Sequence, residues 1–272
     1  MSIRTIAVDY HNTLPLRVGL ERLVRAGDID LDLAHPATAT RRFQRGEYLL
    51  GLLPVAAHLS MPQTHFVGHH GIVARGFVGS VGIFSQVPLE EVSTLYLDHD
   101  SRSSVLLARI LLRHHWRRNT DQGQRQDLRL VKAQKGYRKL IQGGVAGVII
   151  GDPAIEARSK FPYYYDLGEA WQDMTGLPFV FAAWLSGVRL NGRFIARFDQ
   201  AQAEGVGMRE RLAKEFQPLV PEYNLNAYFT RQINYLIDED AKRGLSLFLE
   251  YGQHELQLVE QTGVGQDARL AA

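Results

Sequence analysis

The opening of the chain constrains the fold more than any other segment. Ile3-Arg4-Thr5-Ile6-Ala7-Val8 reads as a short β-strand, and it leads into a helix opened by Pro15, with Leu16, Leu20, Leu23 and Val24 on one face. Asn12 or Thr13 can cap that helix, and proline is tolerated in the first turn because its missing N–H would have no partner there. A strand that feeds directly into a capped helix marks an α/β fold. The alternation continues. The next stretch, through residues 45–54, contributes a second strand, a short helix and a third strand. Residues 80–85 are apolar, glycine-bearing and bounded by Pro88, and read as extended; 92–97 form another strand, ending in Asp98-His99-Asp100-Ser101-Arg102-Ser103-Ser104. A helix follows with Val105, Ala108, Leu112 and His115 on one face. Two fully apolar strands come next, 145–150, which stops at Gly151-Asp152-Pro153, and 179–184. After residue 190 the pattern turns helical over 199–217, 225–236 and 239–255, with 263–272 as a frayed tail.

This order suits an open, mostly parallel sheet, in which ligands bind beyond the carboxyl ends of the strands. The residues to inspect are therefore those just after strands: Asn12, residues 101–104 and Asp152.

Composition narrows the class. A chain of 272 residues makes one large domain or two lobes, and can bury enough surface to need no disulfide or metal staple. Lys and Arg total 31 against 29 for Asp and Glu, so no charge imbalance points to nucleic acid. The densest basic run, Arg113-His114-His115-Trp116-Arg117-Arg118, closes a predicted helix, where cations suit the helix dipole. There are no cysteines, which excludes a disulfide framework, a thiolate zinc site and a cysteine nucleophile. The first residues lack a signal-peptide pattern and no run reaches membrane-spanning length, so a cytoplasmic protein without membrane contact is expected.

Ser101-Arg102-Ser103-Ser104 is the best local candidate for chemistry. A helix N-terminus offers unpaired backbone N–H groups and partial positive charge, and three hydroxyls add donors, which together suit a carboxylate or phosphate. A simple serine cap accounts for the same residues. Asn12 carries an amide able to donate and accept, or serves as a cap; Asp152 could accept a substrate hydroxyl or cap the helix beginning at Pro153. His69-His70 and His114-His115 are adjacent pairs, whereas two metal ligands on one helical face need a spacing of three or four, so no metal site is expected. Tyr163-Tyr164-Tyr165 and Trp171 read as packing. No phosphate-binding Gly-rich loop and no Gly-x-Ser-x-Gly elbow is present, and no acid–base pair declares itself.

Taken together, several segments resemble one family, the chorismate dehydratases of the futalosine route to menaquinone. Asn12-Thr13-Leu14-Pro15-Leu16 is similar to their Asn-x-Leu-Pro-Leu helix opening, and Gly79-Ser80-Val81-Gly82-Ile83-Phe84-Ser85-Gln86-Val87-Pro88 resembles their central serine-containing strand. Ser101-Arg102-Ser103-Ser104-Val105 resembles their Ser-Arg-Thr-Ser-Val helix start. Ile150-Gly151-Asp152, Asp166-Leu167-Gly168-Glu169-Ala170-Trp171 and Thr175-Gly176-Leu177-Pro178-Phe179-Val180-Phe181-Ala182 complete the set in order. Residues 32–71 match poorly, Gly76-Phe77-Val78-Gly79 stands where the family usually has Gly-Pro-Val, and His11 replaces an apolar residue beside Asn12.

The resemblance implies a type 2 periplasmic-binding-protein-like fold, two α/β lobes with a ligand cleft between them. Lobe I would hold residues 1–86 and 182–272, lobe II residues 87–181, with crossover strands near 80–86 and 179–184. It also implies dehydration of chorismate to 3-[(1-carboxyvinyl)oxy]benzoate without cofactor. Asn12 and Ser80 would be the catalytic pair; Ser101, Ser103 and Ser104 would anchor a carboxylate; Arg102 would bind the substrate as an inward counter-ion or, as a surface charge, give structural support, and Asp152 would be a polar wall. The alternative is a non-catalytic small-carboxylate-binding protein of the same fold.

Overall fold

The structure, a computed structural model, describes residues 2–98, 101–116 and 128–262. The expected frayed tail, His99, Asp100 and the end of the basic run at Arg117-Arg118 lie outside the described residues. The chain builds β1 (Ile3–Val8), α1 (Leu14–Arg25), β2 (Ile29–Ala34), α2 (Pro36–Gln44), β3 (Leu50–Pro54), α3 (Ala57–Ser60) and β4 (His65–Ala74). It continues with β5 (Val81–Ser85), β6 (Thr94–Leu97), α4 (Arg102–His114), β7 (Arg129–Lys132), β8 (Val145–Ile150), α5 (Asp152–Ala157), β9 (Tyr163–Asp166) and α6 (Leu167–Thr175). It then forms β10 (Phe179–Ser186), α7 (Gly192–Gly207), α8 (Arg209–Phe216), the single turn α9 (Leu225–Ala227), β11 (Asn234–Leu236) and α10 (Glu239–Thr262).

These strands make two sheets, one per lobe. Lobe I has the order β11-β4-β10-β3-β1-β2 and lobe II the order β7-β6-β8-β5-β9. The sheets are mixed rather than mostly parallel. β1 runs parallel to β2 and β3, and β6 to β7 and β8, but β10 is antiparallel to β3 and β4, and β5 to β8 and β9. The reason is the double visit of one chain to lobe I. β1 and β3 run toward the cleft, whereas β10 enters from the cleft side on its way back from lobe II and so runs the other way. The division between lobes also differs from the expected boundary at 86. Val81–Ser85 is paired on both edges within lobe II, so the chain has left lobe I by the end of β4. At the return, Phe179–Ser186 lies wholly in the lobe I sheet.

The C-terminal third departs from the helical expectation at one place. The segment expected as a helix over 225–236 makes one turn, then opens into a wide turn in which the Ile233 N–H reaches the Tyr228 carbonyl, five residues back, at 3.0 Å. It finishes as β11 on the edge of β4, with Asn234 opposite Val73. A free sheet edge overrode helical preference. The 199–217 stretch forms two helices, α7 and α8, instead of one.

Helix α1 is held where it matters for the site. A Cβ on Gly205 would sit 2.1 Å from the Pro15 carbonyl oxygen, so α7 and α1 meet backbone to backbone. Gln202, fully buried, donates to the Leu16 carbonyl at 2.9 Å and accepts from the Trp184 indole at 3.0 Å. Buried polar groups remain only when paired, and this pair fixes α1 to the central strand β10. On the far side, α10 joins the lobes through edge-to-face contacts of Phe248 with Phe179 (4.9 Å) and of Trp171 with Phe179 (5.4 Å), all three buried. Among the described residues no helix is long and apolar enough to cross a membrane.

Candidate functional site

Between the sheets lies a cavity enclosing about 500 Å³ of empty space, mouth included. Its walls are mainly apolar, with Val8, Ile72 and Phe181 from lobe I facing Val81 and Ile150 from lobe II. The polar groups come from two places: Asn12 and Thr13 after β1, and Ser101, Ser103 and Ser104 at the start of α4. An apolar cleft with a few convergent polar groups is the usual form of a small-molecule site.

The β1–α1 turn resolves the ambiguity over Asn12. Neither Asn12 nor Thr13 caps α1. The Thr13 hydroxyl instead lies 2.8 Å from the carbonyl oxygens of both Val8 and Tyr10, which locks the turn. Asn12 is therefore left for the cavity. It is 9% exposed, and its Nδ2 donates to the Tyr228 hydroxyl at 3.2 Å.

On the opposite wall stand the serines of α4. Ser101 is a cap, accepting from the Ser104 N–H at 3.3 Å, and all three serines also face the cavity. The Ser103 hydroxyl accepts from the Ala56 N–H at 3.0 Å, so it ties lobe II to the β3–α3 turn of lobe I. The N-terminus of α4 thus presents its positive end to the cleft.

Three candidates sit elsewhere than expected. Ser80 is not among the residues that line the cavity: it is 0% exposed, next in the chain to Val81 of the cavity wall. Its hydroxyl approaches the Tyr228 phenol without completing a hydrogen bond and has no partner among the described residues. Arg102 turns from the cavity toward α3, donating to the Ser60 hydroxyl at 3.2 Å; burial and the nearby Arg41 lower its pKa. Asp152 neither caps α5 nor walls the cavity. It stands in the first turn of α5, 3.2 Å from His11 Nδ1 and 3.4 Å from the Tyr223 hydroxyl. The hydrogen bond that His11 donates to Asp152 raises the His11 pKa above 6.5, burial opposes it, and the charges of Asp152 and Asp9 add to the rise.

Sequence reasoning missed four residues here. Tyr10 lines the cavity and packs on Gly151, whose φ of +67° and lack of a Cβ admit the ring; a Cβ there would lie 2.7 Å from it. Tyr10 and His11 follow a strand, so the filter that selected Asn12 also reaches them. Tyr223 and Tyr228 carried no local signal, because folding alone brings the segment after α8 to the cleft. The histidine pair His69-His70 faces Asp199, with Nδ1 distances of 2.8 and 3.2 Å.

A cleft between two mixed α/β sheets, closed by strand ends on one wall and a helix N-terminus on the other, defines the periplasmic-binding-protein class of fold. Solved structures share it. A crystal structure from Archaeoglobus fulgidus matches with a TM-score of 0.71 at 12% identity, covering 93% of this chain and 97% of that one. The periplasmic aliphatic sulphonate binding protein of Escherichia coli matches with a TM-score of 0.60 at 13% identity, covering 98% and 94%. Within that class the family is defined by sequence: residues 4–254 match the menaquinone biosynthesis family, and the chain belongs to it. The chorismate dehydratase of Thermus thermophilus is 25% identical over 252 residues, covering 85% of this chain and 82% of the relative.

Proposed function

We propose that the protein is a carbon–oxygen lyase, a chorismate dehydratase forming 3-[(1-carboxyvinyl)oxy]benzoate and water on the futalosine route to menaquinone. The observation that carries this reading is the placement of Asn12 opposite the serine-rich start of α4 across an apolar cavity. It adds to the family membership and to the named activity of the Thermus relative.

The chemistry suits a cavity whose polar lining, among the described residues, has no titrating acid or base apart from the Tyr10 phenol. The enolpyruvyl carboxylate of the substrate takes the ring proton beside the ether. The electron pair of that C–H bond forms the ring double bond as the neighbouring C–O bond breaks, and the departing hydroxide takes the abstracted proton back from the carboxyl group to leave as water. Aromatisation drives the step. The protein contributes position, desolvation and hydrogen bonds. Ser101, Ser103 and Ser104, with the N–H groups of α4, receive a carboxylate. Asn12 holds the second carboxylate or the departing hydroxyl. Ser80 supports Asn12 from beneath, Arg102 braces α4 against α3, and Asp152 guards the mouth.

Incubation of the purified protein with chorismate tests the reading, with product followed by mass and ultraviolet absorbance. Catalysed loss of water to give an aromatic dicarboxylate is the expected result. Binding without turnover would make the protein a carboxylate receptor instead.

A further inference from the structure

Tyr228 has no assigned role, yet it joins the two neutral polar residues behind the cavity wall. It is 1% exposed, accepts from Asn12 Nδ2 at 3.2 Å and lies beside the Ser80 hydroxyl. Burial raises its pKa, and Ser80 and Asn12 offset part of that rise, so the phenol stays neutral and keeps its proton. A phenol that accepts from Asn12 must still place its own O–H. The Ser80 hydroxyl, fully buried and without a partner among the described residues, lies beside it. Asn12 is then no longer free to rotate its amide. One N–H is committed to Tyr228, which restricts where the carbonyl oxygen can point.

The ring itself is fixed. It begins the wide turn whose carbonyl accepts from Ile233, its own N–H is bonded to the Asn224 carbonyl at 3.1 Å, and Tyr223 packs edge-on at 5.7 Å. Wide turns of this type concentrate at functional sites because they re-aim one side chain.

We propose that Tyr228 is a positioning residue that sets the orientation of the Asn12 amide, with Ser80 as the acceptor that completes the chain. This rests on the proposed dehydratase reading for its consequence in turnover, but not for the orientation itself.

The experiment compares wild type with Tyr228→Phe, which keeps the ring and removes only the hydroxyl, and with Tyr235→Phe. Tyr235 also buries an unpartnered hydroxyl, with no hydrogen bond to Asn12, and controls for loss of a buried oxygen as such. The first readout is hydrogen exchange of the Asn12 side-chain amide in protein labelled with [15N]asparagine, the resonance being assigned by its absence in Asn12→Asp. Tyr228→Phe should speed that exchange about fivefold or more, the worth of one buried hydrogen bond, while Tyr235→Phe leaves it unchanged. The second readout is chorismate turnover against product affinity. Tyr228→Phe should lower the rate constant by about tenfold or more, with product affinity within about threefold of wild type. Unchanged amide exchange in Tyr228→Phe overturns the proposal. So does faster exchange with wild-type turnover, and so does an equal effect from Tyr235→Phe. Absence of chorismate turnover in wild type would instead overturn the dehydratase reading, leaving the exchange result to stand by itself.

Discussion

Asp152 and Asp166 occupy equivalent places in lobe II, each at the junction of a strand and the following helix, and the molecule uses them in opposite ways. Asp166 is 4% exposed and saturated. It caps α6 by accepting from Gly168 and Glu169 N–H at 2.9 and 3.0 Å, accepts from Gly79 N–H at 2.7 Å and Val78 N–H at 3.2 Å, and takes the Tyr164 hydroxyl at 2.7 Å. Burial raises its pKa above 3.8 against the pull of those donors. One carboxylate thus pins the segment that carries the chain out of lobe I. Asp152 has side-chain contacts at 3.2–3.4 Å, all to His11 and Tyr223 of the other lobe. A carboxylate with every lone pair engaged is part of the frame; one with long contacts spanning two lobes can let go. Position after a strand does not decide which.

The largest expected effect is at the frame. Asp166→Ala strands four backbone N–H groups and should lower unfolding free energy by about 4 kcal/mol in denaturant titration. Asp152→Asn should cost under about 1 kcal/mol. Equal losses would erase the distinction between them.

Turnover should rank the other way. Asn12→Ala should slow chorismate dehydration by about 100-fold in single-turnover measurements, with product affinity within about threefold. Asp166→Asn, where it folds, should retain most of the rate constant. Near-normal turnover in Asn12→Ala would remove the amide from the chemistry.

Gly151→Ala probes the contact between lobes beside Asp152. A φ of +67° and a Cβ 2.7 Å from Tyr10 make alanine strained and intrusive. Affinity for a 3-substituted benzoate, measured by calorimetry, should fall about tenfold. Undiminished affinity would show that the Tyr10 contact does not shape the cavity.

The smallest effect concerns pH. His11 has a folded pKa raised above 6.5, chiefly by its hydrogen bond to Asp152. Its contribution is therefore complete below about pH 6.5 and disappears as pH rises through the folded value. The side chain of His11 is 39% exposed, so solvent limits the pair to about 0.5 kcal/mol. Wild type should exceed His11→Gln in stability by that amount at about pH 5.5 and match it at about pH 8.5. A difference that grows with pH would assign the histidine another partner.

Alone, the sequence determined the α/β class, most of the strand–helix order of the first two-thirds, and the segments that supply the cavity, because apolar periodicity and caps are local signals. Asn12 and the serines of α4 were legible for that reason: each follows a strand and opens a helix. Tertiary structure decided the rest. The direction of β10 follows from the chain returning to a sheet it had left, which no window of residues records. The burial of Ser80, the turning of Arg102 to Ser60 and the arrival of Tyr228 under Asn12 depend on segments far apart in the chain. The stretch after α8 shows why. Its own pattern favours helix, yet it ends as β11 because β4 offered an open edge, and that rearrangement is what places the tyrosine.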